Sequence, residues 1–250
     1  MSTETIVPRA DALTFRAPEG LLTRGTVVVI PGRGESPASY RRFGARLAAD
    51  AYEVRVVARP EGDLDAFAAT LGDTTASARP LVVVGSDLGA IVASVLVRRQ
   101  VLAADALVLA ALPRAAGAES LSWDDELATR SFCPTYRQVL TDDPTVERGA
   151  LAADVPAALL DEALAPDNEL PHLILTGSSD PIGAADLPAF VHALPRVQHV
   201  IVNGAHHDVL NDLQHRSVAA AVVTFLERLR QPDPADAIIR VAHATWTNAD

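Results

Sequence analysis

Residues 81–90 read LVVVGSDLGA. A run of leucine and valine enters Gly85-Ser86-Asp87-Leu88-Gly89, and an apolar stretch with helical spacing continues through residue 100. This pattern describes a strand that bends sharply into a helix. A strand written as unbroken Val and Leu is buried on both faces, the habit of parallel strands in α/β sheets. Glycines stand two residues to either side of Asp87, where a side chain would run into neighbouring backbone. With Ser86 at the apex, Val84 and Leu88 would fill those crowded places. The register therefore puts Asp87 at the apex.

Outward from this stretch, apolar runs alternate with amphipathic ones, the mark of βαβ units. Strands are expected at 26–31, 52–58, 81–85, 106–111, 172–177 and 197–203, with an antiparallel edge strand at 12–17. Helices are expected at 38–49, 64–76, 88–100, 185–194 and 208–230. The predicted fold is α/β, with a mostly parallel central sheet flanked by helices. Residues 113–170 contain no strand-like run but are rich in Ala, Asp, Glu and Pro, and include Trp123, Phe132, Cys133 and Tyr136. They read as a small helical cap inserted into a core formed by 1–112 and 171–230. The tail, 231–250, opens QPDPAD and continues AIIRVAHATW, which suits an extra strand or an oligomer contact; a homodimer is left open.

The Gly-Ser-Asp-Leu-Gly turn resembles the G-x-D-x-G nucleophile elbow of Asp-type α/β-hydrolase-fold enzymes, the haloalkane dehalogenases, fluoroacetate dehalogenases and epoxide hydrolases. Gly204-Ala205-His206-His207-Asp208-Val209-Leu210-Asn211-Asp212 resembles the histidine segment of hydrolases such as monoacylglycerol lipases, and the matching base is His207. His206 falls where those families vary and reads as a loop residue. The LILTGSSDP peptide, residues 173–181, is similar to the strand and turn that carry the triad acid in this fold, which implies that role for Asp180. An Asx-turn is the other reading of that peptide. The chain order nucleophile, acid, histidine is the one the fold uses.

The resemblance spans residues 25–230 at the level of fold, with four short matching peptides. The fourth, Ile30-Pro31-Gly32-Arg33-Gly34-Glu35, occupies the oxyanion-loop position, where Pro31 replaces the histidine of the relatives. Backbone N–H groups of Arg33 and Leu88, beside Gly32, are expected to face a developing oxyanion. Glu35 and Arg33 either line the pocket or pair at its rim. Leu88 stands where haloalkane dehalogenases have Trp and fluoroacetate dehalogenases Arg. Trp123 and Tyr136 are candidate donors to a leaving group, or cap packing residues.

Composition narrows the partners. The net charge is −11, and all 21 basic residues are Arg. Such a chain repels phosphate backbones and anionic membranes, and with no lysine it has no Schiff-base chemistry. Cys133 is the single cysteine, and no Cys/His cluster has metal-ligand spacing. No charged-then-apolar leader opens the sequence and no apolar run reaches membrane-spanning length, so a cytoplasmic location is expected. The expected activity is hydrolysis of a small molecule without metal or organic cofactor, by an Asp87–His207–Asp180 triad acting through an enzyme ester. Alternatives are an elimination or cyclisation in natural-product metabolism with Asp87 and His207 as acid and base, an ester or thioester hydrolase, or a non-catalytic ligand-binding protein.

Overall fold

The computed structural model describes residues 12–60, 64–71, 78–119, 122–233 and 237–239. Its centre is a seven-stranded sheet. In chain order the strands are β1 (Leu13–Phe15), β2 (Gly25–Ile30), β3 (Tyr52–Val56), β4 (Leu81–Ser86), β5 (Ala106–Ala110), β6 (His172–Gly177) and β7 (Val197–Val202). They lie in the order β1-β3-β2-β4-β5-β6-β7, all parallel except β1, which pairs antiparallel with β3 at the edge. The seven strands expected between residues 12 and 203 are all present, within one or two residues at their ends.

The unbroken apolar character of β2, β4 and β5 follows from their position, since each is buried along its whole length. Alternate side chains go to opposite faces. Val27, Val29, Val82, Val84, Val108, Leu173 and Leu175 pack on one side with Phe43 and Leu47 of α1 (Arg41–Ala49). Val218, Val222, Phe225 and Leu226 of the long C-terminal helix (His215–Leu229) join them there. Ile30, Val83, Leu107, Leu109 and Ile174 pack on the other, against Ile91, Val92, Val95 and Leu96 of the helix after β4.

Between β3 and β4 lies α2 (Leu64–Thr70), and α3 (Leu88–Arg98) leaves the elbow. Residues 113–170 hold α4 (Trp123–Arg130), α5 (Pro134–Asp142) and α6 (Ala157–Ala163). Leu127, Cys133, Tyr136 and Leu140 form a small apolar cluster of their own, while α6 packs against α3 through Ala163. Then come α7 (Leu187–Ala193) and α8 (His215–Leu229). Among the described residues no helix is long and apolar enough to cross a membrane.

Three expectations need adjustment. The helix expected at 208–230 begins only at His215. The preceding residues turn instead, with the Asn211 N–H on the Asp208 carbonyl (2.8 Å), the His215 N–H on the Asp212 carbonyl (3.0 Å) and the Leu213 N–H on the Asp212 carboxylate, which also accepts His206 and Phe132 N–H groups and ties the segment down. The stretch 38–49 starts as a short 3-10 turn (Pro37–Tyr40), with Ser36 capping it, before α1 begins. Of the helix expected at 64–76, Leu64–Thr70 is seen and 72–77 lies outside the described residues, as does most of the tail strand expected at 237–246.

Successive strands run outward from β2 to β3, then reverse to the other side with β4. At such a switch the loops beyond the carboxyl ends of the two strands diverge and leave a crevice. Here those loops carry Gly32–Glu35 and Asp87. The bend at Asp87 depends on the two glycines. A Cβ on Gly89 would lie 2.5 Å from the Pro31 carbonyl oxygen and nearer still to that of Ile30; one on Gly85 would lie 2.5 Å from the Ala90 Cα. These neighbours are backbone and cannot rotate away. Gly89→Ala should therefore lower stability by about 3 kcal/mol or more, seen as a lower urea midpoint with unchanged slope. A wild-type midpoint would show that α3 can slide on β2.

Candidate active site

Asp87 sits at φ 51°, ψ −124°, a left-handed conformation that costs a non-glycine residue on the order of 1–3 kcal/mol. It is held by ladder bonds on both sides. Its N–H donates to Ala110 of β5 (3.0 Å) and its carbonyl accepts from Ala90 (3.0 Å), the first turn of α3. The side chain is thereby thrown off the sheet edge toward the loop after β2. Arg33 meets it there. The Arg33 backbone N–H and Nε donate to Oδ2 at 2.9 and 2.8 Å, and Nη2 donates to Oδ1 at 2.8 Å. Nη1 turns the other way, to the carbonyls of Ala153 (2.5 Å) and Leu151 (3.3 Å). Side chains in this pair are 6% and 1% exposed, so removing one partner would strand a buried charge, at roughly 3–5 kcal/mol.

His207 lies beyond β7, its backbone N–H bonded to Thr129 of α4 (3.2 Å). Its Nε2 is 3.1 Å from Asp87 Oδ1 and its Nδ1 is 2.9 Å from Asp180 Oδ2. Asp180 serves both readings of its peptide at once, since its other oxygen accepts the Ile182 N–H (2.9 Å) in an Asx-turn. Asp87, His207 and Asp180 thus form one linked line of side chains at the carboxyl edge of β4, β6 and β7.

A second buried layer lies behind Arg33. Glu35 accepts the Gly32 N–H (2.8 Å) and both the Tyr40 and Tyr136 hydroxyls. The Tyr136 hydroxyl is also 3.1 Å from Asp208 Oδ2. Arg130, fully buried at the end of α4, binds Glu126 (2.8 Å), reaches Asp208 (3.3 Å) and donates to the Arg33 carbonyl (2.7 Å).

Of the residues singled out from the sequence, Asp87, His207, Asp180 and Arg33 are in mutual contact, and Glu35, Gly32 and Tyr136 support them. Glu35 does not pair with Arg33; its partners are two phenols and a backbone N–H. Leu88 opens α3 and packs in its apolar layer. Trp123 is elsewhere, with its indole N–H on Thr141 (3.3 Å) and the Arg148 guanidinium over its ring. His206 stacks on Phe132 (3.9 Å between centroids) and bonds Asp212, as suits a loop residue. Tyr40, Glu126, Arg130 and Asp208 are neighbours of the site that sequence reasoning missed. The four-residue spacing of Glu126 and Arg130 was the visible signal, but such pairs are ordinarily solvated.

No family model and no curated protein matches the chain by sequence. Solved structures do. The monoacylglycerol lipase of Paleococcus ferrophilus superposes with a TM-score of 0.65 at 19% identity, over 87% of this chain and 98% of that one. A soluble variant of the Saccharomyces cerevisiae monoglyceride lipase gives 0.67 at 14% identity, over 87% and 91%. The enol-lactonase of Burkholderia xenovorans gives 0.61 at 15% identity, over 86% and 95%. The chain has the α/β-hydrolase fold.

In this α/β-hydrolase fold the elbow aspartate is held ionised. Burial opposes its charge, but hydrogen bonds from His207 and Arg33 and the guanidinium charge more than offset it and hold the carboxyl well below its usual range. Burial likewise opposes charge on His207, yet Asp180 first and Asp87 second push its imidazolium up to about 10, from 6.5. Asp208 goes the opposite way, up to about 7, chiefly through burial, with Glu35 and Asp87 adding to it against Arg130. A protonated Asp208 fits the geometry. Tyr136 has one hydrogen, and when it serves Glu35 the contact with Asp208 is favourable if Asp208 is the donor.

Because the folded pKa of His207 is raised, its share of stability is fully present below about 6.5 and lost as pH rises through about 10. The Asp87 share runs the other way, present above 3.8 and lost as pH falls. Imidazole ¹⁵N resonances should show His207 doubly protonated at pH 8, with Asp87→Asn bringing its midpoint down by at least about one unit. A wild-type His207 that titrates near 6.5 would contradict the ion-paired site.

Proposed function

We propose that the chain is a hydrolase of small electrophilic molecules in which Asp87 is the nucleophile, His207 the proton carrier and Asp180 the group that orients it. The observation carrying this is the asymmetry of the Asp87 carboxylate. Oδ2 is bound by the Arg33 backbone N–H and Nε, while Oδ1 accepts Arg33 Nη2 and faces the His207 Nε2.

Oδ1 forms a bond to substrate carbon as the leaving group departs with its electron pair, giving an ester of Asp87. One of the two carboxylates that hold His207 protonated is thereby neutralised. The imidazolium yields its proton to the leaving group, and the neutral ring can take one from water. Water then adds to the Asp87 Cγ. Oδ2 becomes an oxyanion, where the Arg33 backbone N–H already points. Collapse breaks the Cγ–Oδ1 bond, the product alcohol leaves with the proton on His207, and the proton remaining on Asp87 returns to the imidazole. Asp87, His207, Asp180 and Arg33 complete this cycle between them, without a cofactor.

A second reading is favoured by one observation. Both Asp87 oxygens are occupied by Arg33, and the ionised carboxylate stands 3.1 Å from an imidazolium, a base beside an acid. Elimination or ring closure needs only that pair.

One turnover in heavy-oxygen water separates the two. The ester route should put label into the peptide containing Asp87, because water attacks the enzyme's carbonyl; product formed with Asp87 unlabelled favours acid–base catalysis. Intact-mass screening of His207→Gln against epoxides, alkyl halides and activated esters should in turn reveal an adduct that persists at least about 100-fold longer than in wild type. An adduct that clears at the wild-type rate would remove His207 from the hydrolytic step.

A further inference from the structure

We infer that the substrate carries its own anionic group, a carboxylate or a phosphate-like group, which the Arg33 guanidinium takes up as Asp87 becomes an ester. The inference rests on the proposed nucleophilic role of Asp87 and deepens it by naming what the substrate must bring.

In the resting site the guanidinium charge is matched by the Asp87 carboxylate, through bonds of 2.8 Å to each oxygen. Forming the ester converts that carboxylate into a neutral group and leaves Arg33 charged, buried and without an anion. An uncompensated buried charge is among the most destabilising arrangements a protein can hold. Arginine cannot escape by deprotonation.

Nor can Arg33 swing to another carboxylate. Its Nη1 is tied to the Ala153 and Leu151 carbonyls. Glu35 is satisfied by Tyr40, Tyr136 and Gly32. Glu126 is bound to Arg130, and Asp180 to His207. Asp208 lies against Arg130 and Tyr136. The Nε–Nη2 edge, with two parallel N–H groups, is therefore the part of Arg33 that loses its anion. That edge matches a planar two-oxygen anion. A substrate anion bound there gives the guanidinium an adjacent negative charge again. A neutral substrate would have to rely on the departing leaving group.

Asp87→Asn imitates the neutral ester and tests the charge argument without turnover. Propionate and methylphosphonate should raise the melting temperature of Asp87→Asn, and propionamide should not. The same anions should do much less for wild type, where Asp87 already occupies Arg33. Arg33→Met in the Asp87→Asn background should abolish the response, and Arg33→Lys should keep part of it. If Asp87→Asn folds only when propionate is present, that rescue supports the inference equally. Propionamide acting as well as propionate, no response to either anion, or a response that survives Arg33→Met overturns it.

A second measurement uses wild-type enzyme on matched electrophiles, glycidate against glycidamide and 2-chloropropionate against its amide. The acid of each pair should be favoured by at least about 100-fold in kcat/KM, and Arg33→Met should erase most of that preference. Equal rates on acid and amide overturn the anion requirement while leaving Asp87 as nucleophile. Anion binding at Arg33 with no Asp87 label in any turnover does the reverse, sustaining the anion site and removing the ester route.

Discussion

The pairing of Arg33 with Asp87 is the constraint around which the rest of the site is arranged. Both charges lie out of water, and each is matched hydrogen bond for hydrogen bond by the other and by backbone. The geometry requires three separately encoded features to coincide. The loop after β2 must turn at Gly32, where a Cβ would lie 2.9 Å from that of Asp87. The elbow must hold Asp87 at positive φ. The segment around Leu151 must offer carbonyls to the far side of the guanidinium. Core burial of β2, β4 and β5 supplies the stability that lets a strained residue and a buried ion pair persist side by side.

How much of this was legible in the sequence follows from the kind of signal each part leaves. Strands buried on both faces write themselves as Val and Leu runs, so the sheet was readable almost to the residue. Gly85 and Gly89 mark Asp87 because their spacing has a steric cause, and coordinates show backbone where each Cβ would go. Asp180 and His207 were found through peptides at strand ends. What could not be read was the direction of side chains across the crevice. Arg33 reads as a backbone donor that either lines the pocket or pairs with Glu35 at its rim, and its guanidinium is bound to Asp87 instead of Glu35. Arg130 and Glu126 are four residues apart, a spacing that is ordinarily a solvated helical pair, and here they are fully buried. Trp123 looked like a pocket residue because aromatics are scarce in this chain, but its N–H is turned to Thr141. The start of α8 was missed because residues 208–214 are tied down by the Asp212 carboxylate, which reaches Phe132 and Ser131 as well as Leu213, a tertiary effect that periodicity does not carry.

The carboxylates of the site are kept distinct by what each one faces. Asp87 and Asp180 share His207, which helps keep Asp87 ionised; Glu35 is held by two phenols, and both phenols are pushed well above their ordinary range by burial, with Glu35 adding to it. Asp208, with burial against it and Glu35 and Asp87 nearby, is the carboxyl that takes up a proton near neutrality. A cluster of acids this dense tolerates burial because protonation, cation pairing and phenolic donors are distributed among its members instead of being asked of one. It also isolates the Asp87–His207 pair, since the other acids have partners of their own.

Access to Asp87 is governed by the same contacts. The carboxylate is 1% exposed, so a molecule reaches it only when covering structure gives way. Two parts of 113–170 stand over it. The C-terminal end of α4 is fixed by the buried Arg130 with Glu126 and Asp208 and by the Thr129 and Arg130 carbonyls, which accept the N–H groups of His207 and Asp208. Moving it would expose or unpair charge and displace His207. Residues 145–153 are joined through the Glu147 N–H to the Gly34 carbonyl (2.9 Å), the carbonyls offered to Arg33 and Arg59, an ion pair of Arg59 with the exposed Glu147 (3.4 Å) and the Gly149 N–H on the Glu126 carboxylate. An exposed ion pair contributes up to about 1 kcal/mol, whereas a broken buried one costs several times that. The end of α4 is therefore the more firmly held of the two.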